Sequence, residues 1–141
     1  MRAIDLHNDI NPRVAIAPAA AYTNNTPIVS SIIDTQGFES CEFVIETGAI
    51  TGGATFAVSL SDGNQANLSD AAVVVAPFLI GTFAQAGFAS ANANSCFKIG
   101  YAGVNRYLRL TITPASNTSA FIAATAILGG PHFAPTANPP V

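Results

Sequence analysis

Arg106, Tyr107 and Arg109 are the side chains with the clearest chemistry to offer. Lys98, Arg106 and Arg109 are three of the chain's five basic residues, and all fall between Lys98 and Pro114. A guanidinium presents a planar fork of donors that matches a carboxylate or phosphate, and tyrosine supplies rigid contact area with a polar tip. That chemistry is recognition rather than bond making, since Arg and Tyr are the residue types that anchor protein interfaces. Arg13, in the N-terminal segment, joins them as a candidate contact to a partner or to a second copy of the chain.

Nothing suited to catalysis accompanies these residues. His7 and His132 lie at opposite ends of the chain, so a metal site built on them would still need further ligands. The run Asp62 to Asp70 is rich in oxygen donors, but its glycine, Gly63, is misplaced for a calcium loop, so a polar turn is expected. Glu42 and Glu46 fall on one face of an alternating segment, where they read as solvated charge, and Glu39 precedes them. No glycine-rich phosphate loop opens a helix, and no Gly-x-Ser-x-Gly elbow occurs. No metal, cofactor or enzymatic activity is expected. Cys41 and Cys96 read as buried free thiols acting as small apolar residues, with a disulfide as the alternative.

The elements that must position the basic stretch read as strands. Ile28 to Asp34 is rich in β-branched residues and stops at Gln36-Gly37. In Ser40 to Thr47, Cys41, Phe43 and Ile45 alternate with Glu42 and Glu46; in Thr55 to Ser61, Phe56, Val58 and Leu60 point one way. Ala71 to Ala76 reads as a strand or a short helix, and Phe78 to Phe88 as a strand interrupted by Gly81 and Gly87. Cys96 to Tyr101 and Asn105 to Thr113 are expected to pair as a hairpin around Ala102-Gly103-Val104. In its second arm Leu108, Leu110 and Ile112 share the inner face, while Tyr107, Arg109, Thr111 and Thr113 take the outer one. Ala120 to Leu128 is apolar on both sides, which predicts a strand covered on both faces.

Seven or eight short strands with turn residues between them, and no βαβ alternation, define an all-β class. The expected fold is an antiparallel β-sandwich, with an eight-stranded jelly roll as its arrangement. Residues 1–27, interrupted by Pro12, Pro18 and Pro27, are expected as an extended N-terminal arm, 28–130 as the sandwich domain, and 131–141 as an extended Pro-rich tail.

Composition narrows the partners. A chain of 141 residues buries roughly two thirds of its unfolded surface, enough for one core. Charged residues are 9% of the chain and apolar ones 50%, too little charge to dress a freely soluble surface. No apolar run approaches the about 18 residues of a membrane span, and Met1 to Ile4 runs at once into Asp5, His7 and Asp9, so neither a membrane span nor an export signal is expected. A net charge of −3 argues against direct nucleic-acid binding. Of the two other sources of such a charge deficit, a secreted β-protein dressed in Ser, Thr and Asn and a subunit docked in an assembly, the second is expected.

The run Ile99-Gly100-Tyr101-Ala102-Gly103 followed by Arg106-Tyr107-Leu108-Arg109-Leu110-Thr111-Ile112-Thr113-Pro114 resembles the capsid cement, or decoration, proteins of tailed bacteriophages and prophages. Asp34-Thr35-Gln36-Gly37 upstream and Leu128-Gly129-Gly130-Pro131 downstream extend the resemblance over most of Asp5 to Pro131. It implies a jelly-roll subunit on the exterior of the virion, made in the bacterial host cytoplasm. Such a subunit clamps neighbouring major capsid proteins of the HK97-like fold, with self-association as a dimer and no enzymatic activity. Proteins of that type often carry a second base just before the arginine; here that position is Asn105, which implies a weaker or differently formed shell contact. The alternative is a β-sandwich receptor- or carbohydrate-binding module of a phage fibre. The absence of Trp and the presence of only three Tyr weigh against it, since sugar sites rely on aromatic platforms.

Overall fold

A computed structural model describes residues 5–140, and it is an all-β sandwich of two antiparallel sheets. The strands are β1 (Ile10–Ile16), β2 (Ile28–Val29), β3 (Ile33–Asp34), β4 (Phe38–Thr51), β5 (Thr55–Gly63), β6 (Ala72–Val73), β7 (Leu79–Ile80), β8 (Phe88–Ala89), β9 (Cys96–Tyr101), β10 (Tyr107–Ala115) and β11 (Ser119–Pro131). Two single-turn helices, α1 (Leu6–Asp9) and α2 (Phe83–Ala86), complete the order with 3-10 turns at Ala76–Phe78 and Ser90–Asn92. Sheet I runs β1-β11-β4-β9-β7 and sheet II runs β2-β10-β5-β6, with β3 also on β10 and β8 also on β5.

The pairs nest: β1 with β11, β2 and β3 with β10, β4 with β9, β5 with β6 and β8. A long antiparallel hairpin rolled over on itself produces this nesting, which is compatible with the expected jelly roll. There are eleven strands because each edge of sheet II is built from two fragments and the short β7 adds a fifth strand to sheet I.

The period-two pattern lines the space between the sheets. Phe43 and Ile45 of β4, Ile99 of β9 and Leu128 of β11 face Leu60 of β5 and Leu108, Leu110 and Ile112 of β10, all fully buried. Each such side chain contributes about 1.5–3 kcal/mol relative to exposure. Phe56, Phe88 and Phe97 stack in series, with centroids 4.7 Å and 5.3 Å apart, and join β5 and β8 of sheet II to β9 of sheet I.

Four expectations are corrected. The segment expected as an N-terminal arm is extended over Ile10–Ile16, but it is the edge strand β1, with Ala15 and Ile16 in the core. Pro12 is tolerated there because an edge strand has a side that needs no N–H. The stretch Ile28 to Asp34 is split, because Ser31 leaves sheet II to donate its N–H to Ala15 O at 2.9 Å and its hydroxyl to Val14 O at 2.9 Å, closing the edge of β1.

The expected hairpin does not form. β9 lies in sheet I and β10 in sheet II, and residues 102–106 carry the chain across the sandwich. Each strand has a better partner elsewhere: β9 is in register with β4 from Cys41↔Tyr101 to Glu46↔Cys96, and β10 with β5 from Tyr107↔Gly63 to Ala115↔Thr55. Ala102-Gly103-Val104 has none of the Asn-Gly or Asp-Gly chemistry that would impose a tight turn against that pairing. Finally, β11 is covered on one face only. Ala120, Ile122, Ala124, Ala126 and Leu128 are buried, whereas Phe121 on the other face is 48% exposed.

Smaller differences follow the same logic. Phe78 to Phe88 breaks into β7, α2 and the start of β8 rather than one strand. Cys41 is buried and Cys96 exposed; they sit five register steps apart on one strand pair, about 17 Å, so they are not bridged. The Pro-rich tail is held against the N-terminal segment, since Thr136 donates its N–H to Asn8 O at 3.1 Å and its hydroxyl to Ile10 O at 2.6 Å.

Candidate functional site

The crossover from Tyr101 to Tyr107 gathers the polar side chains of one end of the sandwich. At its base, Tyr101 and Asp62 are both buried, and the Tyr101 hydroxyl donates to Asp62 Oδ2 at 2.5 Å while accepting the Asn105 N–H at 3.0 Å. Burial, and then the Asp62 hydrogen bond, push the Tyr101 phenol well above the ordinary tyrosine range. Gly103 makes this possible, because a Cβ at that position would stand 2.3 Å from the Tyr101 ring. Asn64 donates to Asn105 Oδ1 at 2.8 Å, and Asp70 accepts the N–H groups of Asn64 and Gln65 at 2.8 and 3.1 Å. The polar run 62–70 is therefore a turn folded around the Asp70 carboxylate.

Arg106 points back to sheet II. Its Nε and Nη2 bind the two oxygens of Asp34 at 2.8 and 2.6 Å, which holds the Asp34 carboxyl below the usual carboxylate range. Thr35 adds a hydroxyl donated to Arg106 O at 2.8 Å. Arg13 comes to the same place from β1: its Nε binds Asn11 Oδ1 at 2.9 Å, and its charge further lowers Asp34. Among the described residues no ion pair joins Arg13 to Asp34, so of the two arginines only Arg106 is placed directly on that carboxylate.

Tyr107 and Arg109 stand on the outer face of sheet II, as the alternation of β10 requires. The Arg106 guanidinium carbon sits 4.9 Å from the Tyr107 ring centre, so one side of the ring is stacked. Arg109 lies opposite Ser61, between rows of hydroxyls that include Ser59, Thr111 and Thr113. No hydrogen bond or ion pair reaches Arg109 among the described residues, and its Nε is buried without an acceptor. Of the predicted contact residues, Arg109 alone keeps its whole guanidinium uncommitted among the described residues.

The other titratable groups are dispersed. Glu39 meets His132 Nε2 at 2.5 Å on the surface. Glu42 is half-buried beside Gly100, where burial raises its carboxyl and Lys98 opposes the rise. Among the described residues no group of three or more His, Cys, Asp or Glu could hold a metal ion, and no helix is long and apolar enough to cross a membrane.

Two features escaped the sequence reading. Asp62 continues the inward parity of Phe56, Val58 and Leu60, and an acid at a core position signals a buried partner. The apolar run from Ala72 to Ile80 lies largely on the surface, and no periodicity could have located it there.

The fold places the chain among antiparallel β-sandwiches. No protein-family model matches it, and no curated protein does. Among solved structures it is similar to the SPBc2 prophage-derived protein YomS, at 13% identity and a TM-score of 0.49, over 90% of this chain and 98% of that one. It is also similar to a chain of the infectious bursal disease virus Gx strain, at 9% identity and a TM-score of 0.46, over 88% of this chain and 32% of that one. A third likeness is to the CBM22-1–GH10 modules of Clostridium thermocellum xylanase 10B, at 14% identity and a TM-score of 0.46, over 94% of this chain and 28% of that one. These likenesses are loose, and the functional reading rests on the chain's own residues.

Proposed function

We propose that this is a structural protein of a phage virion that binds the outside of an HK97-like shell and stabilises it by clamping neighbouring major capsid subunits, without catalytic activity. The observation that carries the reading is Arg109. It is a guanidinium without a hydrogen-bond or ion-pair partner among the described residues, on a hydroxyl-lined outer sheet face beside a tyrosine stacked by Arg106. A fork preorganised this way is matched by a carboxylate on a partner surface. The charge-poor composition and the sequence resemblance support the same class of partner. Binding only the assembled shell lowers the free energy of that state, and repetition at symmetry-related sites multiplies a modest contact.

The test is co-sedimentation of the protein with matching expanded shells stripped of it, scoring bound copies and the temperature of shell rupture. Saturable binding that delays rupture, and that is weakened by Arg109→Ala without loss of folding, supports the proposal. Absence of saturable binding overturns it. Specific retention on a glycan array would then favour the fibre-module reading, for which the hydroxyl rows around Tyr107 are the relevant surface.

A further inference from the structure

The outer face of sheet II has a pattern that runs beyond Arg109. Three rows of outward side chains cross β10 and β5: Arg109 beside Ser61, Thr111 beside Ser59, and Thr113 beside Ala57. Exposed Val73 of β6 continues the first row and exposed Val29 of β2 the second, so the arginine lies between apolar side chains at both sheet edges. Its Nε is shielded from water with no acceptor, and the nearby Asp34 carboxylate is already paired with Arg106. A charge flanked by apolar contacts that exclude water has the anatomy of an interface anchor.

The third row opens on a groove of about 510 Å³ between β5 and α2. Thr55, Ala57, Phe83, Ala84 and Asn92 are among its lining residues, none of which is charged. Phe83 is half-buried, and the stacked Phe56 and Phe88 back the groove. From the Arg109 row to the Ala57 row is four residues along β5, about 13 Å.

We infer that this face receives one extended segment of a shell subunit, with a carboxylate on Arg109 and, four residues along, an apolar side chain in the groove. The inference rests on Arg109 as the shell contact and names what the shell must present to it. The orphaned guanidinium selects the carboxylate, and the uncharged groove selects the apolar side chain. The hydroxyl rows between them select the main chain. Ser and Thr hydroxyls both donate and accept, which suits the alternating N–H and C=O groups of an extended segment. A helix would need about nine residues for the same span and would bring main-chain groups already satisfied within itself.

The test uses the full chain and stripped expanded shells. The double variant Ala57→Gln, Ala84→Gln fills the groove from two exposed positions without changing charge, so its circular dichroism and melting temperature should match the wild type. Its shell affinity should fall by at least about tenfold. A photo-cross-linker attached to Thr113→Cys, in a Cys96→Ser background, should capture a peptide of the major capsid protein with an Asp or Glu about four residues from a large apolar residue. Affinity lost in Arg109→Ala but kept in the groove variant, or a captured peptide without that acid, overturns this inference and leaves Arg109 as the shell contact. Affinity kept in both variants, or no shell binding at all, overturns the Arg109 reading and this inference together. Retention on a glycan array that the groove variant abolishes, with shell binding untouched, assigns the face to a saccharide and overturns it as well.

Discussion

The crossover from Tyr101 to Tyr107 and the strap from Ala72 to Ile80 lie side by side, joined by Leu79↔Tyr101, Ile80↔Gly100 and the Ala102 N–H on Phe78 O. Their chemistry is inverted relative to their composition. The polar crossover buries its tyrosine on Asp62 and ties its asparagine and first arginine to Asn64 and Asp34. The uncharged strap turns most of its large apolar side chains outward. Residue type alone therefore does not say which surface meets a partner; what decides it is whether the chain itself has already satisfied the group.

The largest expected effect breaks the polar side of this comparison. Tyr101→Phe removes the donor of a buried carboxylate and the acceptor of the Asn105 N–H, and should cost about 2–3 kcal/mol. Urea denaturation at neutral pH measures it directly. The pH dependence gives an independent reading. Because the folded-state pKa of Tyr101 is raised above its unfolded value near 10, the unfolded chain releases its proton first, and stability falls as pH climbs past that value. Cys41, whose thiol burial pushes up to about 12, adds a loss that begins above about pH 9. Tyr101→Phe should flatten the alkaline decline, leaving the Cys41 share, which Cys41→Ala removes in turn. A decline of unchanged steepness in Tyr101→Phe would show that the phenol is not buried as described.

Next is the seam between the two regions. A Cβ on Gly100 would stand 2.5 Å from Glu42 Oε2 and 2.9 Å from Ile80 Cβ. The glutamate tip can swing away, but Ile80 can yield only if the strap moves. Gly100→Ala should therefore cost about 1–3 kcal/mol by overpacking. An unshifted melting temperature would mean the strap is mobile and its exposure incidental.

A smaller effect separates the two arginines. Arg106→Ala should lower the melting temperature only slightly, since its pair with Asp34 is bidentate but largely solvated. Asp34 titrates below its unfolded value, so this contribution is present above the unfolded pKa and disappears as pH falls through the folded one. In the Arg106 variant the acid limb of the stability curve should be shallower. Its direct effect on shell binding should be slight.

The sandwich class and the inward faces of β4, β5 and β10 were legible because period-two alternation is a local property that folding preserves. Long-range pairing was not. The basic stretch read as a hairpin because its two strands are neighbours in sequence, whereas β9 and β10 each gain more register with β4 and β5. The N-terminal segment read as an extended arm outside the sheets because its prolines forbid a central strand, and nothing local reveals that an edge position was vacant beside β11. At the site, the outward parity of Tyr107 and Arg109 was readable; the commitment of Arg106 to Asp34, far upstream, was not.

The smallest effect on stability is also the sharpest on function. The buried Nε of Arg109 has no acceptor, and such a group costs on the order of 1 kcal/mol. Arg109→Met keeps an apolar stem against the sheet and removes the orphaned donor. It should leave the unfolding free energy unchanged or slightly raised while reducing shell affinity. A residue kept for folding cannot behave that way, because its loss must lower stability. If Arg109→Met destabilises the chain and leaves binding intact, the outer face of β10 is not the contact.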